Sequence, residues 1–185
     1  MSVLIMLAAL TIGGQAAEPA AACEVTGEQR AANRMLSFMD FDQRGVTPQT
    51  ARKLGERKCY AEAAAASEDY LLFGPDLTRR EADVVSWHLA QYLASAGRET
   101  EAARVMATTR REPEETPDGF DWNTYLIGSY AFLVRDRAML DEAVERLNAQ
   151  GGQRNIMNGR VLRRLQKCFG RSYLEAYEGD ACAVD

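Results

Sequence analysis

Between Glu81 and Arg111 the chain carries two apolar stripes at helical spacing, separated by one glycine. Val85, Leu89, Tyr92, Leu93 and Ala96 recur every three or four residues and share one side of a helix. Ala102, Val105, Met106 and Thr109 make a second stripe after Gly97. Glycine adopts the left-handed conformation that ends a helix without a Cβ penalty. Neither helix buries its stripe alone. The pair must close on itself as a hairpin and then find neighbours with the same need, which limits the chain to helix-on-helix packing.

The flanking sequence supplies such neighbours. Thr26 and Gln29 form a capping box ahead of a helix to about Phe41, striped by Ala32, Met35, Leu36 and Met39. Asp42 to Gly45 reads as a loop, and Thr47-Pro48 as the start of a short helix ending near Arg57. Tyr60 to Phe73 reads as a helix with Tyr60, Ala63, Ala64, Ser67, Tyr70 and Leu71 inward, stopped by Gly74-Pro75-Asp76. Thr78 and Glu81 cap the central hairpin. After Arg111 comes the acidic, proline-containing connection EPEETPDG, which is expected to face solvent. Trp122 to Val134 is the next predicted helix, and Asp136 caps its return, with Met139, Leu140, Ala143, Val144 and Leu147 inward. Gly151-Gly152 breaks that helix, Gly152 to Gly159 reads as a loop, and Val161, Leu162, Leu165, Cys168 and Phe169 stripe the last clear helix. One further short turn is expected around Tyr173 to Tyr177. No convincing strand pattern occurs, so the fold class is all-α.

Residues 1–22 differ from the rest. Val3 to Ile12 is an apolar run, small residues follow, and no charged side chain occurs before Glu18. This reads as a secretory signal peptide cleaved near Ala16 to Ala22, leaving 23–185 as one helical domain in the periplasm or secreted. The small residues before Cys23 also leave open its lipidation. The run is too short for a stable bilayer-spanning helix. Four cysteines follow, Cys23, Cys59, Cys168 and Cys182. An even number in an exported chain suggests disulfides. Four cysteines allow three pairings. Cys23–Cys59 with Cys168–Cys182 is favoured because each bond joins neighbouring elements.

A local pattern recurs at Ala61-Glu62-Ala63-Ala64, Thr100-Glu101-Ala102-Ala103 and Asp141-Glu142-Ala143-Val144, at intervals of about 40 residues. Each copy opens the second helix of a predicted hairpin. A small residue there lets two helices approach closely, and a glutamate in the first turn suits the helix dipole. Leu89, Ala90, Leu93, Gly97, Ala102 and Met106 fall where the tetratricopeptide repeat places its small, bulky and turn residues. The chain therefore resembles a divergent tetratricopeptide-like exported bacterial protein, in one unit well and in two as degenerate copies. The resemblance implies a right-handed stack of antiparallel helical hairpins, an α-solenoid. It also implies that first helices line a concave groove, which brings Trp87, His88, Gln91, Trp122, Tyr125 and Ser129 forward as the candidate partner groove. Rings would give contact area there and amides would hold backbone. The competing reading puts both tryptophans in the core.

The sequence points to no catalytic residue, metal site or cofactor. His88 is the single histidine, and no nucleophile motif stands near it. Potential metal ligands do not cluster. A net charge of −5 argues against a general nucleic-acid binder. Basic residues concentrate late, at Arg154, Arg160, Arg163, Arg164, Lys167 and Arg171. The expected function is a non-enzymatic interaction module of the cell envelope that binds a peptide or protein segment. The alternatives are a small-molecule or lipid carrier with its ligand between hairpins, and an enzyme built on His88.

Overall fold

The computed structural model describes residues 23–111 and 119–184. The signal-peptide segment 1–22 and most of the acidic connection after Arg111 lie outside the described residues. Everything regular among the described residues is helical: α1 (Gly27–Asn33), a π turn (Met39–Arg44), α2 (Ala51–Glu56), α3 (Tyr60–Phe73), α4 (Arg79–Ser95), α5 (Glu99–Ala107), α6 (Trp122–Leu133), α7 (Arg137–Ala149), α8 (Gln153–Lys167), α9 (Tyr173–Glu178) and a 3₁₀ turn (Asp180–Cys182). Successive helices pack on one another from α2 to α9, and α9 also returns to touch α4. No helix among the described residues is long and apolar enough to cross a membrane.

The caps set the boundaries. Thr26, Thr78 and Ser172 each accept from the amide three residues on, and Gln29, Glu81 and Glu175 reach back in complete capping boxes. Asp121 and Asp136 cap α6 and α7 through the amides of Thr124 and Met139. Gly97 closes α4 at φ 81°. The recurring small pair does what its spacing suggests. Ala63 and Ala64, Ala102 and Ala103, and Ala143 and Val144 are all buried, on α3, α5 and α7.

The helices enclose two adjoining cores. The N-terminal one gathers Phe41, Ala51, Leu54, Ala63, Tyr70 and Val85. Within it Phe41 lies flat on Tyr70, centroids 3.9 Å apart, and the Tyr70 hydroxyl donates to the Leu36 carbonyl at 2.8 Å. The larger core runs from Leu93 and Met106 through Phe132, Leu140 and Leu147 to Leu162, Leu165 and Tyr173. At Gly128 a Cβ would meet a Leu162 methyl at 2.6 Å and Ala143 at 3.1 Å, so any larger residue would displace the Leu162 side chain where α6 lies against α7 and α8. Cys23 is bonded to Cys59 and Cys168 to Cys182, with Cα separations of 5.4 and 5.7 Å. With its sulfur in a disulfide, Cys23 has no thiol for lipidation.

Three local expectations are corrected. The first helix does not run to Phe41. α1 stops at Asn33, and Asp42 sits in the π turn instead of a loop. The wider turn brings the consecutive residues Phe41 and Asp42 both inward, at 0% and 1% exposure. Thr47 does not cap α2. Thr50 occupies the cap position, its hydroxyl donating to the Thr47 carbonyl, so residues 47–50 form a separate turn. Residues 152–159 are not a loop either, because α8 begins at Gln153 directly after Gly152. The anchor is Asn155, whose amide nitrogen donates to the Gly119 and Gly151 carbonyls and whose oxygen accepts from the Asp121 amide.

Candidate functional site

One face of α4 borders an open space as well as the core. Arg80, Val84, Trp87, His88, Gln91 and Ser95 recur at three or four residues and open onto a cleft of about 540 Å³. The opposite walls come from Arg52 and Glu56 on α2, Trp122 and Tyr125 on α6, Asn158 on α8, and Tyr173 and Tyr177 on α9. Thus α2, α4, α6, α8 and α9 all border the same space.

The floor is aromatic. Trp87 stands 5.3 Å from Trp122 and 4.9 Å from Tyr125 by ring centroids, in tilted contacts. Trp122 is fixed at its other end, since its indole N–H donates to the Thr109 carbonyl at 2.9 Å. The guanidinium of Arg111 lies 3.9 Å over the same ring. Both tryptophans are about 95% buried, at 4% and 5% exposure, so they are core residues that show an edge to the cleft.

Gln91 is the polar centre. Its amide nitrogen reaches the Tyr173 hydroxyl at 3.5 Å. Burial pushes the Tyr125 and Tyr173 phenols well above their ordinary range, the neighbouring Tyr177 adds to this, and the Gln91 amide partly offsets it. Tyr92 is pushed up to about 12, again mainly by burial. The phenols therefore stay neutral at ordinary pH and present O–H groups that donate or accept. α9 is held in place by Glu99, which accepts from the Tyr173 amide at 2.6 Å and pairs with Arg135.

His88 turns Nδ1 to the Asp42 carboxylate, at 2.8 and 2.9 Å. Asp42 is 1% exposed, whereas the imidazole keeps some exposure toward the cleft. The bond fixes the ring and directs Nε2 away from Asp42. Among the described residues, no group of three or more His, Cys, Asp or Glu side chains could hold a metal.

Comparison with known proteins returns no matching family model, no similar curated protein and no similar solved structure.

Five of the six groove residues expected from the sequence, Trp87, His88, Gln91, Trp122 and Tyr125, line this one cleft. Ser129 does not. It is fully buried one turn behind Tyr125. Sequence reasoning missed the α9 tyrosines and the arginines Arg52 and Arg80. The signal for α9 was present in the Ser172–Glu175 capping box followed by Tyr173 and Tyr177 one turn apart. Nothing local said that this helix returns to α4.

Proposed function

We propose that the protein is a non-enzymatic binding module, a tetratricopeptide-like stack of helical hairpins working outside the cytoplasm, that holds an extended peptide or protein segment in the aromatic cleft. The observation that carries this is the convergence of α2, α4, α6 and α8 on one space floored by rings and the Gln91 amide. Rings supply contact area at small entropic cost, and amides and phenols match a peptide backbone. The two disulfides fit an oxidising compartment, periplasmic or extracellular.

A photo-crosslinking side chain at Asn158, on the cleft wall, tests the proposal in the native host. A discrete protein adduct from that position, and none from exposed Glu145 on α7, is the expected result. Equal labelling from both positions, or none from Asn158, refutes it.

A second reading is a carrier for a small polar ligand. It draws on α9, whose Tyr173 and Tyr177 close one side, and on a volume within the range of small-molecule pockets. Native mass spectrometry of protein taken gently from its host would show a retained mass below that of a peptide.

A further inference from the structure

The chemistry of the occupant follows from which charges around the cleft are already spent. The two acids on the walls are engaged. Glu56 is paired with Lys53 at 2.7 Å, and Glu178 with Lys58 at 3.1 Å and with the Tyr60 hydroxyl. The Asp42 carboxylate is buried and turned onto His88. The cations are different. Arg80 has no ion pair or hydrogen bond among the described residues. Arg52 donates Nε to the Asp42 backbone carbonyl at 2.7 Å, which leaves its charge without a carboxylate. Behind Arg80 lies Arg111, largely buried and stacked on Trp122. Its Nε is 3.6 Å from Asp83, too long for a hydrogen bond. Burial, with the neighbouring positive charges of Arg80 and Arg154, holds the Arg111 guanidinium below its ordinary range, while Asp83 opposes this. Among the described residues, then, Arg80 at that end of the cleft offers a guanidinium with no carboxylate partner.

We infer that the occupant of the cleft is an acidic peptide segment, with one carboxylate on Arg80 and a second on Arg52. This rests on the peptide-binding reading. The overall charge of −5 does not oppose it, because exposed charges further than about 8 Å away are screened at physiological salt while the cleft arginines act at contact. The spacing follows from α4. Arg80 is in its first turn, and Arg52 lies beside Tyr92, whose phenol it influences. From position 80 to position 92 the helix rises roughly 18 Å. An extended chain covers that in about five or six residues. Trp87, Trp122 and Gln91 lie between the two cations, so the intervening residues should be apolar or aromatic.

Selection from a random decapeptide display library on the disulfide-intact protein tests this. The expected winners carry Asp or Glu at two positions five or six apart with an apolar residue between. Their binding should alter tryptophan fluorescence, since both tryptophans of the chain line the cleft. Arg80→Gln should relax the preference at one acidic position and weaken the selected peptide about tenfold. It should leave the melting curve unchanged, because Arg80 is exposed. Arg52→Lys, which keeps charge and loses the fork, should weaken binding less than Arg52→Gln. Winners without an acidic pair, or an acid preference untouched by Arg80→Gln, overturn the inference and leave peptide binding standing. Failure to select any peptide overturns both.

Discussion

Asn155 is 1% exposed, and its side-chain amide makes three hydrogen bonds, at 2.9 Å to the Gly119 carbonyl, 2.8 Å to the Gly151 carbonyl and 3.0 Å from the Asp121 amide. Those partners belong to the entry into α6 and the turn before α8, so one residue joins two elements that frame the cleft. Removing the amide strands three backbone groups, each costing about 1–3 kcal/mol if left buried and unpaired. Asn155→Ala should therefore destabilise the fold by about 3 kcal/mol, some of the loss being recovered by water. Urea unfolding checks this through a lower midpoint at unchanged slope. An exposed pair such as Arg98 and Glu101, hydrogen-bonded at 2.7 and 2.8 Å, lies in water and is expected to matter far less. Nothing in the sequence separates Asn155 from Asn158, the half-buried asparagine on the cleft wall three positions later. An amide's importance depends on which distant carbonyls arrive beside it.

At the scale of elements the decisive piece is α9. It has six residues, far too few to be stable alone, and it persists because Tyr173 packs on Phe132 and Tyr177 while the Cys168–Cys182 bond fixes the segment around it. With the cysteines at a sequence separation of 14, the loop-closure argument gives the bond a contribution of about 3 kcal/mol. The double variant Cys168→Ser, Cys182→Ser should fray α9 first. Amide hydrogen exchange is then expected to rise in residues 173–182 and at Gln91 and Tyr125, with binding in the cleft weakened while α1 to α5 stay protected. Uniform loss of protection across the chain would mean that α9 is integral to the core. The helices α3 to α7 were legible from their stripes and stop signals, and α4, α6 and α7 also from side-chain caps, because everything that defines them lies within one or two turns. The π turn was not, since its conformation serves two distant contacts, Phe41 with Tyr70 and Asp42 with His88. Nor was the cleft's fourth wall, because Tyr173 and Gln91 are 82 positions apart and no local periodicity encodes that meeting.

For the whole molecule, the interior phenols predict how stability depends on pH. Tyr125 and Tyr173 are nearly inaccessible, and burial holds both phenols well above the ordinary value of about 10, with Tyr70 and Tyr92 pushed up to about 12. In the unfolded chain all four would ionise near pH 10. Above that pH the folded state keeps protons that the unfolded state has lost, so stability is complete below about pH 10 and falls as pH rises toward the folded values. Tyr125 and Tyr173 alone remove about 2.7 kcal/mol per pH unit, from a total of about 5–15 kcal/mol for a domain. Cooperative unfolding is expected between about pH 11 and 12. On the acid side the groups held low include the capping carboxylates Glu81 and Glu175, through Ser or Thr hydroxyl and backbone N–H donors, and Asp69, through Arg34. Their contribution is present above about pH 4 and fades as pH falls through the depressed values. Because they lie at the surface, solvent weakens their effect, and the acid limb should be shallower than the alkaline one. Tyrosinate absorbance and far-ultraviolet circular dichroism should move together in one alkaline step. Helix signal surviving after every phenol has ionised would show that the rings flooring the cleft reach solvent without unfolding, and would undo the account of α9 as their cover.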